Sequence, residues 1–486
     1  MGATWITHLS VRKAVMPRLR SLRRPAGTSG AVLLATGLAA TGLLVGWPGS
    51  ALAAPVTTDP AQAAAGWLAA QFVDGDGDGV GDHMEVTIDL NGDGEITDDE
   101  RFPDYGLTAD SVVALAAAGV AGEASTAASD YLEANVELYV GDADVDDDGV
   151  DDPDGEYYAG ALAKTLLIAA VTGRDGADFG GVDLVSRLLF TETPDGRYSD
   201  VSEFGDFSNS IGQSLAVLAL ARTAPDELSA EAKTFLAGQQ CADGGPQDGN
   251  VPLTLGADAC AAEAASVDTT SFAVQALRAI DFGQSVDPAL DFLLRSQDDD
   301  GGFSDLGVTN ANSTGLAAQA LGPGERDDEA VEAAVQWLLS RQLGCATPPE
   351  QQGAVAFTDG PDGTPVFDDR AARATVQAVP GIVGVGLSDV DAAGSSAAAP
   401  RLDCGPAPSP SPGPPPTDPG PTATSTPTAP GPTPSDPGPT AGPAPTGPGL
   451  PVTGTAISEM LLFAGAVMVL GAGLLLATRR RAGLHR

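Results

Sequence analysis

Residues 289–304 read ALDFLLRSQDDDGGFS, and residues 310–321 read NANSTGLAAQAL. An apolar helix end, Phe292-Leu293-Leu294, leads to Gln297. An Asp/Gly loop then turns at Gly301-Gly302-Phe303, and a helix rich in Ala, Ser and Thr follows. The unit recurs along the chain. Trp67-Leu68…Gln71, Tyr131-Leu132…Asn135, Leu188-Leu189…Glu192, Phe235-Leu236…Gln239 and Trp337-Leu338…Gln342 stand in the same role. The shared leucines at 68, 132, 188, 236, 293 and 338 lie 45 to 64 residues apart, a period that marks a repeat architecture.

Each first helix has a second behind it: Leu107–Gly119, Glu156–Thr172, Phe207–Arg222, Ser266–Ile280, Asn310–Leu321 and Asp369–Val379. Apolar residues within them recur at three- and four-residue spacing, as at Leu215, Leu218 and Ala219. Asp, Ser and Thr stand at the starts, where they can cap free N–H groups. Their small residues suit an inner ring in which side chains crowd toward an axis.

The Gln…Gly-Gly-Phe unit resembles the QW repeat of squalene–hopene cyclases and the related repeat of protein prenyltransferase β-subunits. Transcobalamin-type binders and thioester-containing complement-like domains share that barrel. The resemblance implies an all-α, (α/α)6 toroid of six helix pairs over residues 58–380, within a domain spanning 54–404. It is poorest in the third copy, where Arg187 stands at the aromatic position.

A shared fold does not carry a shared chemistry. Asp144-Val145-Asp146-Asp147 spells the DxDD of class II terpene cyclases, and Asp147…Asp151 spells DDxxD, yet both sit in an acidic loop with alternate spacing. Carbocation chemistry needs aromatic faces, and the tryptophans of the exported domain, Trp67 and Trp337, hold repeat positions that pack between helices. A prenyltransferase zinc site needs Asp, Cys and His, and this domain has one histidine, His83. Gly238-Gln-Gln-Cys241 lacks the order of a thioester motif. Two facing carboxylates of a glycosidase are not excluded by so acidic a chain.

The acidity is concentrated in the middle. Formal net charge is −42; of the 24 bases, six lie in the first 24 positions and four in the last eight, leaving 14 for residues 54–454 against 65 of the 66 acids. Such a surface repels nucleic acid. The first 53 residues read as a signal peptide: basic Arg12–Arg24, apolar Ala31–Gly46 and an Ala51-Leu52-Ala53 cleavage site. Export favours disulfides among Cys241, Cys260, Cys345 and Cys404. Three pairings are possible, and nearest neighbours, Cys241–Cys260 and Cys345–Cys404, are expected.

Residues 405–449 form a Pro/Gly/Ser/Thr-rich linker of polyproline type. Leu450-Pro451-Val452-Thr453-Gly454 follows, then an apolar segment over 457–477 of transmembrane length, and a basic tail over 478–486. The series resembles the LPxTG sorting signal of Gram-positive surface proteins. The resemblance implies sortase cleavage between Thr453 and Gly454 and attachment to peptidoglycan, after a membrane-bound precursor stage.

Residues 73–100, VDGDGDGVGDHMEVTIDLNGDGEITDDE, hold eleven acids in twenty-eight positions. Asp74, Asp76, Asp78, Val80, Asp82 and Glu85 fall at positions 1, 3, 5, 7, 9 and 12 of an EF-hand loop, with Gly79 at 6. Asp89, Asn91, Asp93, Glu95, Thr97 and Glu100 repeat the pattern, with Gly94 at 6. Alternate oxygens on a glycine-tightened turn suit calcium. The loop at 142–156 offers Asp144, Asp146, Asp148 and Asp152, matching the front half of the pattern, and resembles the aspartate loops of thrombospondin type 3 repeats. Val86, Thr87 and Ile88 alone join the first two loops, which points to structural calcium rather than a sensor.

The expectation is therefore a wall-anchored, calcium-stiffened toroid that binds a small molecule, a glycan or a surface protein without catalysis. Its candidate pocket residues, at the loop ends of the inner helices, are Tyr158, Asn209, Gln213, Asp268, Thr269, Asn312, Ser313 and Arg373. The alternative is an extracellular enzyme, glycan-active or terpene-cyclase-like.

Overall fold

The computed structural model describes residues 54–405 apart from 76, 91–93, 146–149, 243, 257, 263–264, 306 and 323–327. The export segment, the proline-rich linker, LPVTG, the apolar segment and the basic tail lie outside these residues. Among the described residues no helix is long and apolar enough to cross a membrane.

These residues are mostly helical. The helices are α1 (Pro60–Ala69), α2 (Tyr105–Ala118), α3 (Gly122–Ala134), α4 (Val136–Val140), α5 (Ala159–Thr172), α6 (Leu184–Phe190), α7 (Ser210–Thr223), α8 (Ala230–Gly238), α9 (Ala259–Ala262), α10 (Val267–Ala279), α11 (Gly283–Ser296), α12 (Ala311–Leu321), α13 (Asp328–Ser340) and α14 (Ala371–Val383). Short strands pair Val56–Thr57 with Arg401–Leu402 in parallel. Antiparallel pairs join Glu85–Thr87 to Arg101–Pro103 and Ser304–Asp305 to Val308–Thr309.

The Ala/Ser/Thr-rich segments form α2, α5, α7, α10, α12 and α14, each beginning within three residues of its expected start. Each packs on the next, and α14 packs back on α2, so the contacts close a circuit. Other helices lie outside and bridge neighbours: α1 touches α14 and α2, α8 touches α7 and α10, and α13 touches α12 and α14. Burial follows from composition. Ala311 and Ser313 through Leu321 are all buried, as a helix enclosed on every side requires. Gly315 explains the need for small residues there: a Cβ would lie 2.3 Å from the Gln377 carbonyl oxygen of α14.

The repeat glutamine has one mechanical job in the last three copies. Gln297 Nε2 donates to Gly301 O in its own turn (3.0 Å) and to Ala330 O of the next outer helix (2.8 Å). Gln342 does the same to Gly353 O and to Pro60 O, joining the last copy to the first. In the fourth copy the residue is Gln240, bonded to Gly249 O and Ser285 O, and not the expected Gln239. Counting four residues from the shared leucine gives Gln240, Gln297 and Gln342, one helical turn onward. Gly301 (φ +91°) and Gly353 (φ +97°) follow in the left-handed region, where a Cβ would meet the next outer helix at 2.7 and 2.6 Å.

A second recurring bond pins the turn to its inner helix in four copies. The N–H groups of Met84, Val251, Phe303 and Val355 donate to the hydroxyls of Thr108, Thr270, Thr314 and Thr375. In the third copy Tyr198 N–H donates instead to Gln213 Oε1.

The N-termini of the inner helices share one end of the circuit. Ala159 N–H donates to Asp200 in the loop before α7, Ser210 N–H to Leu253 O before α10, Val267 N–H to Asp305 before α12, and Ala311 N–H to Phe357 O before α14. Arg373, at the start of α14, pairs with Asp104, the N-cap of α2. We call this end the mouth.

The opposite end is closed by one strap, residues 385–402, which visits the inner helices in reverse order. Gln319 of α12 donates to Val385 O, Gln275 of α10 accepts from Leu387 N–H, and Arg222 of α7 donates to Leu387 O and Val390 O. Ala392 N–H then donates to Val171 O of α5, and Ser396 N–H to Gly119 O at the end of α2. Pro400 lies against Gly66 of α1, where a Cβ would fall 1.7 Å from its carbonyl oxygen. The disulfide Cys345–Cys404 anchors the strap, and Cys241–Cys260 braces the loop before α10; both pairings are those expected.

Candidate functional site

Three acidic loops stand at the mouth, each closed at its base by backbone hydrogen bonds. Val73 and His83 close the first, Ile88 N–H to Glu100 O the second, and Asp152 N–H to Ala143 O with Glu156 N–H to Asp142 O the third. The first two share an internal bond. Gly79 N–H donates to Asp74 Oδ2 and Gly94 N–H to Asp89 Oδ2, each at 2.9 Å, linking position 6 to position 1. Both glycines have positive φ, +95° and +80°, which keeps the turn tight.

The two loops then differ. Glu100 folds back over its loop, nearly fully buried, and accepts from Leu90 N–H, Thr97 N–H and Thr97 Oγ1. These bonds, led by that from Thr97 N–H, hold its pKa below the usual carboxylate value. Glu85 lies on a strand instead, near His83 and Arg101. The position-2 amide of that loop, Gly75 N–H, is taken by Asp82, which also meets His83 Nδ1 at 2.6 Å. His83 stacks on Tyr131 of α3 and so pins the loop to the body.

Asp78, Val80, Glu95 and Thr97 lie in these loops, while Asp76, Asn91 and Asp93 fall outside the described residues. In the third loop Asp152 Oδ2 accepts from Val145 N–H, Asp144 is described, and Asp146 and Asp148 are not. Among the described residues no three carboxylates gather as a metal group. Arg187, out of place in the repeat motif, is explained here: buried in α6, it holds Asp151 at 2.6 and 2.8 Å and donates to Gly141 O.

Behind the third loop opens a cleft of about 180 Å³, between the N-terminal ends of α5 and α7. Four aromatic rings line it: Tyr139 and Tyr158 from the second repeat, Phe204 and Phe207 from the loop before α7. Gly160 and Gly212 form its floor, and a Cβ on Gly212 would lie 3.3 Å from Gly160 Cα. Asp200 forms part of the wall. Burial raises its pKa, opposed by bonds from the N–H groups of Ala159 (2.8 Å) and Phe207 (3.1 Å). Burial also lifts the Tyr139 phenol, to about 12. Phe207 is 52% exposed and, with Phe204, leaves apolar ring surface open at this cleft.

Of the eight pocket residues expected from sequence, Tyr158 and Asn209 line this cleft. The other six are placed elsewhere by their structural duties. Gln213 holds Tyr198 N–H and donates to Gly196 O. Thr269 and Ser313 are buried in helix-start networks with Ser266 and Asn310, and Arg373 is tied to Asp104. Asn312 begins α12, its Oδ1 buried without a partner. Asp268 faces Ser313 of α12, and its pKa is pushed up to about 7 by burial and then by the Asp305 carboxylate. Phe204, Phe207 and Asp200 were missed because their loop matches no motif; two phenylalanines flanking Gly205-Asp206 in an acidic loop were the available signal.

A larger cleft of about 620 Å³ lies at the strap end, beside α3. Its one base, Arg174, is already engaged by Asp130 and Glu133.

No family model matches the chain, and no curated protein matches it by sequence. Among solved structures, the chain is similar to a protein from Actinoplanes (17% identity, 67% of this chain and 98% of that one, TM-score 0.45). It is also similar to the apo type II terpene cyclase MstE from Scytonema (15% identity, 67% and 96%, TM-score 0.45). A third likeness is to ent-copalyl diphosphate synthase from Streptomyces platensis (19% identity, 58% and 50%, TM-score 0.38).

Proposed function

We propose that this chain is an exported, wall-anchored binding module. Its (α/α)6 toroid is stiffened by calcium at the mouth, stands off the cell on the proline-rich linker, and takes a ligand at the mouth without transforming it. The distribution of free space carries this reading. On the axis, side chains from all six inner helices, among them Val113, Leu167, Leu215, Phe272, Gln319 and Val376, leave a cavity of about 30 Å³. That is roughly one water's share of liquid. A terpene-cyclase-like reaction has no chamber there for a prenyl chain. The glycan-active alternative needs two carboxylates facing a substrate, but Asp268 and Asp305 are turned into the junction of α10 and α12 and line none of the three cavities above.

Calcium is supported by the matching position-1 to position-6 bonds of the first two loops. Asp74, Asp76, Asp78, Asp82 and Glu85 would hold one ion, and Asp89, Asn91, Asp93, Glu95 and Glu100 another, with Val80 and Thr97 supplying main-chain or water-borne oxygens. A third ion would use Asp144, Asp146, Asp148 and Asp152. In all three, the cation would offset the repulsion of neighbouring carboxylates.

Native mass spectrometry of the exported domain in calcium-containing medium, before and after chelation, tests both parts. Bound calcium and a melting midpoint that drops on chelation are expected; each site filled at a hundred times its Kd adds about 2.7 kcal/mol. A mass without calcium would remove the metal reading. Steady turnover of a wall polysaccharide by the unmodified protein would remove the non-catalytic one. Wall attachment is tested separately: peptidoglycan-linked protein in a sortase-bearing Gram-positive host should return to the membrane fraction with Thr453→Ala and Gly454→Ala together.

A further inference from the structure

The mouth cleft takes a single neutral sugar ring, we propose, as the end or branch of a glycan; this rests on the reading of the mouth as the ligand site. The walls specify the chemistry. Four aromatic rings line the cleft, and flat apolar faces suit the C–H side of a pyranose. Polar groups stand among them with capacity to spare. Asn209 uses Oδ1 to cap α7, accepting from Ile211 and Gly212 N–H at 3.0 Å, which leaves its Nδ2 amide as a donor with no partner among the described residues. Asp200 accepts one backbone N–H on each oxygen and retains lone pairs. Ser202 Oγ accepts from Phe204 N–H and keeps its proton to donate. A ligand that both gives and receives hydrogen bonds satisfies this set, as sugar hydroxyls do.

An organic ammonium is the competing guest, since aromatic rings and a carboxylate attract cations. Two features turn the cleft against it. The positive ends of α5 and α7 point at the cleft, and an ammonium has no acceptor to offer Asn209 Nδ2. The cleft's roughly 180 Å³ is about six waters' worth of space, room for one ring rather than a chain. Gly160 and Gly212 keep that floor open.

The test is a titration of the exported chain, in calcium, with the methyl glycosides of glucose, galactose, mannose and N-acetylglucosamine, and with tetramethylammonium. Ligand-observed NMR and calorimetry read each one. Two variants accompany the unmodified protein. Phe207→Ala removes an exposed ring, and Asn209→Asp retains the helix cap while exchanging the free donor for an acceptor. At least one glycoside is expected to bind, on the order of tenfold weaker in Phe207→Ala and about fivefold weaker in Asn209→Asp, with melting midpoints unchanged. No binding of any of the four glycosides up to tens of millimolar (roughly −2 kcal/mol) overturns the sugar. Tetramethylammonium binding that Asn209→Asp strengthens and Phe207→Ala weakens also overturns it, while the mouth stands as a ligand site. Glycoside binding that neither variant alters overturns both the sugar assignment and the mouth as its location.

Discussion

The two ends of the helical circuit solve the same problem in opposite ways. At the strap end, the C-termini of the inner helices are sealed by eighteen consecutive residues, 385–402, whose backbone is answered by Gln319, Gln275, Arg222, Val171 and Gly119 in turn. At the mouth, each inner helix is preceded by its own loop. Exposed apolar side chains gather on those loops: Leu90, Ile96, Val145, Val150, Phe204, Phe207, Val366 and Phe367. One end is a single continuous tie, and the other is a set of independent surfaces. Stability should therefore be concentrated at the strap and recognition at the mouth, and variants can set the two against each other.

Among changes to the two ends themselves, the largest loss is expected from Cys345→Ser with Cys404→Ser. That bridge spans 59 residues, and chain entropy assigns it about 4 kcal/mol, against about 3 kcal/mol for the 19-residue span of Cys241–Cys260. Calorimetry ranks the two bridges. Hydrogen exchange supplies the sharper reading: amides of Ala392, Ser396 and Arg401 should lose protection while Val73 and Asp82 keep theirs. Equal loss at both ends would show that the strap also holds the mouth, and the contrast would fall.

Arg222→Met asks whether the strap depends on its clamp. The substitution keeps the buried stem and leaves Leu387 O and Val390 O without their donor. A buried carbonyl stripped of its partner costs about 1–3 kcal/mol, so urea unfolding should show a loss of about 3 kcal/mol. A loss below about 0.5 kcal/mol, the scale of ordinary surface changes, would mean that packing of Leu387 alone seals the axis.

Much of this contrast could be read in advance, and its limits are physical. The circuit was legible because each repeat must bury the same face, so Leu293 and Leu338 announce themselves by period. The glutamine at 240 was misplaced by one because Gln239 and Gln240 are adjacent, and helix phase decides between them. The disulfides followed from proximity along the chain. The strap was not legible: 385–402 carries no periodicity, since its bonds run to distant parts of the chain, 66 positions from Val385 to Gln319 and 112 from Leu387 to Gln275. The cleft was half legible. Tyr158 and Asn209 could be placed from helix starts, whereas Phe204 and Phe207 belong to a loop whose course is set by Asp200 and Asp206.

The mouth has its own partly buried carboxyl at Asp268, one oxygen of it enclosed, and pH reads it. Burial raises its pKa to about 7, with a further push from Asp305. A carboxyl raised in this way binds its proton more tightly in the folded chain. Its contribution to stability is full below about pH 4, the unfolded value, and drains as pH climbs toward 7. The unmodified protein should lose about 1–3 kcal/mol over that interval, and Asp268→Asn should flatten the slope. An unchanged slope in the variant would place the proton on Asp305 instead.

The smallest effect is the most informative about the division of labour. Phe207 is 52% exposed, and it lines the mouth cleft beside Phe204 and Tyr158. Phe207→Ala should therefore change stability by no more than about 0.5 kcal/mol. Truncating a buried phenylalanine such as Phe303, which is fully enclosed in the repeat turn, should cost about 3–5 kcal/mol. Both residues follow a glycine-containing acidic loop and precede an inner helix, so their neighbourhoods in the chain are alike. A large loss for Phe207→Ala in denaturant titration would make it a packing residue of the loop, and the exposed aromatics of the mouth would need a structural explanation. A neutral result leaves an apolar ring held in water at no benefit to folding, which is the condition a recognition surface meets.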